Sequence, residues 1–334
     1  NDLSYLSRTD YKWFNGNIAG HWVTPTRWYR SIFTSVGGAT QYNYDGDRTD
    51  SQLQAYYGME LLNYWNLRAF LIRKIPSYDD RLTRGGPVVR QAGYNFGHFQ
   101  VSTDARRRAV FDFTVEAARG VDAHTSMLAF MPGMALKPAA NIFIQLSPTY
   151  RRDEGDAQYI RAVTDPTATN FYGNRYVFGY VRTRTVSLDT RINWTFTPNL
   201  TLQLYAQPFI ANGDYTSFRE FARPRSIEKL EYGRDAGTVT YNGWDDLYTI
   251  DPDGSGAAEA FTLANPDFTM RSLRGTAVLR WEDRPGSTLY FVWTQLRSGY
   301  DPDGTWDFGG SSADLFSDRP TNVFQIKATY WLGR

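Results

Sequence analysis

The run with the clearest metal-binding chemistry is Asp251-Pro252-Asp253-Gly254-Ser255-Gly256. Asp251, Asp253 and Ser255 offer oxygens at alternate positions, Gly256 stands sixth and Glu259 ninth, which is how a calcium loop begins. The twelfth position is Thr262 where a bidentate Glu is expected, and Pro252 stiffens the loop. A plain polar turn accounts for the same residues, because Asp, Pro and Gly dominate turns. Bound calcium and a solvated turn therefore both stand as expectations. A similar run, Asp301-Pro302-Asp303-Gly304 with Asp307 nearby, follows later.

Other site chemistry is sparse. His21, His98 and His124 share no metal-ligand spacing, and no H-E-x-x-H occurs. There is no G-x-S-x-G elbow, and no phosphate-binding or dinucleotide-binding glycine motif. With no cysteine, a disulfide scaffold and a Cys-ligated zinc site are excluded. The chain is expected not to be an enzyme; a hydrolase would need a Ser, His and Asp set assembled only by the fold. With 36 Lys+Arg against 35 Asp+Glu, interspersed in sign, no basic excess exists to neutralise phosphates, which argues against a nucleic-acid binder.

The remaining candidates are charges placed by a period of two. In 185–197, Val186, Leu188, Ile192, Trp194 and Phe196 fall on one face, while Asp189 and Arg191 fall on the other with Thr, Ser and Asn. The stretch 200–210 repeats the pattern after the turn at Pro198-Asn199, as do 273–282, 324–332, 111–116 and 52–61. By parity Asp189, Arg191, Arg274, Arg280, Glu282 and Lys327, with Asp112 and Glu116, point away from the apolar face. In a water-filled barrel such residues line the pore and set its ion preference. As inward salt-bridge ladders they would only stabilise the wall. Arginine dominates, with 31 Arg to 5 Lys; that suits bidentate carboxylate or phosphate contacts, and a GC-rich genome gives the same bias.

These faces require strands. The expected fold is all-β: an antiparallel transmembrane β-barrel with about 13–14 strands in this chain. Aromatic content of 16% fits the girdles of such a wall. No stretch nears the roughly 20 apolar residues of a spanning helix, so a membrane role requires strands closed into a barrel. No basic start followed by an apolar run, the mark of a signal peptide, occurs in 1–20. Strands are predicted at 11–24, 28–43, 51–62, 65–75, 92–104, 108–118, 126–136, 141–151, 176–197, 200–211, 268–283, 287–299 and 321–333, with no useful amphipathic helix. Short turns near 25–27, 63–64, 104–106, 138–140, 198–199 and 284–286 alternate with long loops near 44–50, 75–92, 119–125, 152–175, 212–267 and 300–319. That is the asymmetry of an outer-membrane barrel, with long loops outside the cell and the C-terminus periplasmic. Thirteen strands are odd where such barrels are even, so further strands or chains are expected to complete the wall.

Several segments are similar to one family: large bacterial outer-membrane proteins with an N-terminal carbohydrate-binding-like domain of the family-nine type, followed by a long β-barrel of unknown function. The residues that carry the resemblance are Asn1-Asp2-Leu3-Ser4-Tyr5-Leu6-Ser7-Arg8-Thr9-Asp10, the stretch 199–215 (NLTLQLYAQPFIANGDY), 265–297 (NPDFTMRSLRGTAVLRWEDRPGSTLYFVWTQLR) and the closing NVFQIKATYWLGR. The resemblance implies that this chain is the C-terminal part of the barrel, with the first motif in mid-barrel. Sugar binding by the appended domain does not transfer to these residues. The chain departs from many outer-membrane barrels in ending Leu332-Gly333-Arg334 and not on an aromatic residue.

Two functions follow as expectations: a channel for solute passage or uptake, its partner being outer-membrane lipid, or a plugged barrel that anchors a binding domain or partner. The 212–267 loop, rich in Phe, Tyr and Trp, is long enough either to enter the lumen or to cap the barrel outside.

Overall fold

The computed structural model describes residues 8–121 and 123–331. Residues 1–7 of the first family motif and the closing 332–334 lie outside them.

Alternation becomes sheet almost wherever the sequence shows it. The strands are β1 (Tyr11–Trp22), β2 (Tyr29–Asn43), β3 (Arg48–Leu61), β4 (Asn66–Lys74), β5 (Ser77–Asp79), β6 (Val89–Gln91), β7 (Tyr94–Ser102), β8 (Ala109–Gly120), β9 (Ser126–Ala139), β10 (Ile142–Thr164), β11 (Asn174–Thr197), β12 (Leu200–Phe221), β13 (Lys229–Glu231), β14 (Thr238–Asn242), β15 (Leu247–Asp251), β16 (Phe261–Ala264), β17 (Phe268–Arg284), β18 (Ser287–Asp301) and β19 (Thr321–Thr329). Thirteen of them form one antiparallel sheet in the order β1-β2-β3-β4-β7-β8-β9-β10-β11-β12-β17-β18-β19, with β13 paired to β12. These thirteen match the predicted strands one for one. Two small sheets, β5-β6 and β14-β15-β16, stand apart from the wall.

The odd strand count leads to the expectation of a sheet left open within this chain, and two further features depart from expectation. The sheet does not close: among the described residues β1 pairs only with β2 and β19 only with β18. The loops are shorter than predicted, because β10, β11 and β12 continue as 22–24-residue strands through 152–164 and 212–221. Charged pairs open that extension, Arg152–Glu154 within it and Arg151–Asp153 across its start, and hide the alternation. The β2–β3 connection is also a tight turn at 44–47, with Gly46 at φ +89° and the buried Asn43 accepting from the Asp47 amide at 2.7 Å. Finally, a helix α1 (Phe308–Ser317) forms where none was expected. Gly309 and Gly310 weaken its propensity, but Asp307 caps it by accepting from the Gly310 amide at 3.0 Å.

The two faces of the wall differ sharply. One register row on the apolar face runs Ile144, Ile192, Leu204, Ala277, Trp293, Phe324, and the next runs Ile142, Trp194, Leu202, Leu279, Phe291, Ile326. Ile18, Val36 and Leu71 continue this face on the other flank and are 84%, 64% and 59% exposed. The buried core lies instead at the long-loop end. There Val177, Phe218, Tyr232, Ile250 and Leu263 form one cluster, and Val89, Tyr176, Phe178 and Phe221 a second. Val177 and Phe178 are consecutive, so their side chains leave β11 on opposite faces. The tip of β11 is therefore covered on both sides, by the β14–β16 sheet and by the β5–β6 hairpin.

Candidate functional site: the polar face and its cap

The apolar face has two boundaries. At the short-turn rim stand Trp22, Trp28, Trp65, Trp194, Trp281 and Trp331, six of the ten tryptophans, each 39% exposed or more. At the other boundary the row Tyr150, Val186, Ile210 is followed on the same face by Arg152, Arg184, Asn212. Between them, β12 presents Leu200 to Ile210, eleven residues, against the roughly 9–11 that a tilted strand needs to cross a bilayer.

All six charges expected to line a pore lie on the opposite face. Asp189 accepts from Tyr205 Oη at 2.9 Å and from Gln207 Nε2 at 3.0 Å. The Arg191 guanidinium lies 5.4 Å from the Tyr205 ring centre. Arg280 donates to Glu282 at 2.5 Å, and Lys327 Nζ lies 6.0 Å from the Tyr290 ring. Arg274 stands opposite Gln207 in the register. Further along the face His98 Nδ1 and Glu116 Oε1 are 3.0 Å apart. The face is thus polar and laced by internal contacts. Glu116, Arg119, Arg151, Asp153, Tyr94 and Phe96 line a recess of about 410 Å³ on it. This recess meets a second, of about 300 Å³, at Tyr94 and Thr125; Arg90, Asp156, Phe221 and Lys229 line the second, at the edge of the cap.

The cap draws together parts of the wall that are far apart in the sheet. The Arg225 guanidinium grips the Asp47 carboxylate at 2.5 and 3.2 Å and lies over the Tyr78 ring at 4.2 Å. Backbone bonds join Arg225 N to Val88 O at 2.7 Å and Arg90 N to Ser226 O at 3.0 Å. Asp80, beyond β5, accepts from Arg8 and from Asn43 at the end of β2. Asp47 adjoins β3 and Arg225 follows β12, seven strand steps away. In a flat sheet that separation is roughly 34 Å, at about 4.8 Å per step. The four residues from Phe221 to Arg225 reach roughly 14 Å at full extension, too little even with an arginine side chain added. The sheet is therefore curved, and the long-loop ends of β3 and β12 swing towards each other.

A buried ionic network fixes the cap from within. Arg175, at the tip of β11, donates to Asp165 at 2.5 Å and to Glu220 at 2.6 Å, and Tyr232 Oη donates to the other Glu220 oxygen at 2.9 Å. All four side chains lie beyond the apolar rows. Burial pushes the Glu220 carboxyl up despite the attraction of Arg175, and burial followed by the Glu220 charge pushes the Tyr232 hydroxyl up. Burial also opposes ionisation of Asp165, but the hydrogen bonds from Arg175 and Thr167 outweigh it and hold that carboxyl below its ordinary value. Ser217, at φ +54° where β12 carries one residue more than β11, makes the bulge that precedes Phe218. The sequence reading missed Arg175, Glu220, Asp165 and Arg225, since they fall in stretches read as loop. The excess of Arg over Lys was the one hint of fork-shaped pairing.

The expected metal loop is arranged as a turn. Asp251 Oδ1 accepts from the Gly254 amide at 2.8 Å, and Asp253 Oδ2 accepts from the Ala258 amide at 3.0 Å. Ser255 and Glu259 are exposed beside them. Among the described residues no group of three or more His, Cys, Asp or Glu side chains is gathered to hold a metal ion. The segment 212–267 finds its partners at the tips of β10, β11 and β12: Lys229 bonds Asp156 at 3.2 Å, and Arg161 bonds the Thr262 carbonyl at 3.3 Å. Trp244, at the tip of the β14–β15 hairpin, is 98% exposed.

The fold thus defines a class: a large, curved antiparallel all-β wall with one apolar and one polar face and loops gathered over one end. The chain belongs to a family of domains of unknown function, DUF5916, whose model matches residues 1–333. No curated protein and no solved structure matches it.

Proposed function

We propose that this chain forms part of the wall of a bacterial outer-membrane β-barrel and that its polar face lines a passage for solutes. One observation carries the reading: exposed apolar rows about one bilayer high, bounded by the tryptophan rim on one side and the Arg152–Arg184–Asn212 row on the other. A soluble protein rarely leaves so large an apolar surface uncovered. The short turns then face the periplasm, as does the C-terminal end of β19, and the cap lies outside the cell. Arg191, Arg274, Arg280 and Lys327 against Asp189 and Glu282 would set the field along the passage.

A second reading, a capped barrel that anchors a binding surface, draws support from the Arg225–Asp47 closure and the Arg175 network. Single-channel recording on the full-length protein in planar bilayers separates the two. Stepwise conductance whose ion preference changes in Arg191→Ala or Arg280→Ala supports the passage; silence from folded protein supports the capped anchor.

A further inference from the structure

The polar face carries a patch of exposed carbon, and the patch bears on which solute it meets; the inference rests on that face lining a watery passage. Such a lining needs polar side chains, yet at the cap end of β12, β17 and β18 it departs from them. Phe209, Met270 and Tyr300 share the parity of Arg274 and not that of Leu204. Met270 is 42% and Tyr300 63% exposed, so the described residues leave their carbon uncovered. With Arg274, Ser272 and Ser298 they line a recess of about 550 Å³, inside the range of roughly 300–1,000 Å³ that small-molecule sites occupy.

The register orders the recess. Met270 stands opposite Tyr300 nearest the cap. Phe209, Ser272 and Ser298 form the next row inward, and Arg274, opposite Gln207, belongs to the row after that. From Met270 to Arg274 the strand runs roughly 13 Å. Carbon therefore stands at the outer mouth and the cation deeper in. That cation is uncommitted: among the described residues the Arg274 guanidinium makes no hydrogen bond or ion pair. Its neighbours in sequence do. Arg271, on the other face, holds Asp301 and Asp318, and Arg280 holds Glu282. Asp189, on the same face as Arg274, is occupied by Tyr205 and Gln207. An open guanidinium fork matches a carboxylate, which it meets with two parallel hydrogen bonds, and the hydroxyls of Ser272 and Ser298 are further donors. Burying an apolar body against Phe209, Met270 and Tyr300 adds a hydrophobic gain. An uncharged, wholly polar solute would use neither the carbon nor the charge.

We propose that this recess is a binding subsite for small organic acids, with Arg274 taking the carboxylate and Phe209, Met270 and Tyr300 covering the apolar body. Titration calorimetry on the full-length protein in lipid nanodiscs, with empty nanodiscs as the blank and hydrocinnamate as the probe, tests it. Saturable binding is expected, weakened at least about tenfold in Arg274→Gln, the size of a lost charge-assisted hydrogen bond. Acetate, which lacks the apolar body, and hydrocinnamyl alcohol, which lacks the charge, should both bind more weakly than hydrocinnamate. Met270→Ser should weaken hydrocinnamate and leave acetate unchanged. No saturable binding, equal affinity in Arg274→Gln, or acetate binding as tightly as hydrocinnamate overturns the proposal. The passage itself is judged separately. Binding by a protein that is silent in planar bilayers keeps the subsite and defeats the passage; stepwise conductance without binding keeps the passage and defeats the subsite.

Discussion

Arg225 and Asp47 stand 178 residues apart in sequence and seven strands apart in the sheet, yet they share a two-point ion pair. The pair ties the β2–β3 turn to the end of β12 across the mouth of the curved wall. Asp47 is nearly buried while Arg225 is half exposed, so the pair should contribute about 1 kcal/mol, the upper end for partly exposed bridges. A double-mutant cycle on Arg225→Ala and Asp47→Ala, read by the rate of protease nicking within 222–267, checks this. The double variant should be no more susceptible than the worse single one. Independent, additive effects would mean that the contact does not hold the cap shut.

Arg175 holds two buried carboxylates at once. Arg175→Ala should cost roughly 3–5 kcal/mol, because breaking a buried pair strands the remaining charge, and here both Asp165 and Glu220 are left. The loss should be local. Hydrogen exchange should speed up at Val177, Phe218 and Ile250 while β8 and β9 stay protected. Uniform loss across the wall would show that the network supports the whole sheet and not its cap.

The same network gives a pH dependence of mixed sign. Asp165 is held below its ordinary value in the fold, so its contribution is present above the ordinary carboxylate range and is lost as pH falls through the depressed value. Glu220 is raised; the folded state takes up its proton more readily than the unfolded one, so lowering the pH through that raised value favours the fold. In Asp165→Asn only the Glu220 effect remains, and the cap should become more resistant to exchange between neutral pH and mild acid. In Glu220→Gln only the Asp165 effect remains, and the cap should loosen on further acidification. Parallel pH profiles for the two variants would contradict the assignment.

Side-chain parity makes a stability prediction. Leu204 lies in the apolar row with Ile192 and Ala277, while Gln203 lies opposite with Asn193 and Val278. Leu204→Arg should cost about 2–4 kcal/mol in liposome-reconstituted protein, the price of a cation at mid-bilayer in a barrel wall. Gln203→Arg should be nearly neutral. Denaturant unfolding of the two variants checks this, and equal costs would contradict the proposed lipid face.

The wall was legible in the sequence wherever one face must be apolar. From 185 to 210 the alternation gave strands, turn and the facing of Asp189 and Arg191 together, since a one-residue slip would reverse every side chain. Where β10 to β12 rise past the apolar rows that constraint lapses. Arg152, Asp153 and Glu154 read as loop although they pair as strand. The β14–β16 sheet packs on the tips of β11 and β12 and α1 lies against β17, β18 and β12; both are short, and periodicity does not register them. The Arg175–Glu220 and Arg225–Asp47 pairs join positions 45 and 178 residues apart, and nothing in a single sequence specifies such partners.

The central claim is that one face of this wall meets lipid and the other meets water. Its most direct test is a fluorophore scan: single cysteines at consecutive positions from Thr201 to Ile210, labelled in the full-length protein in bilayers and challenged with a lipid-soluble and a water-soluble quencher. The account predicts quenching that alternates strictly, with lipid-soluble quenching at 202, 204 and 206 and water-soluble quenching at 201, 203 and 205. Equal access of the water-soluble quencher to both sets would show that the apolar face is not in a membrane.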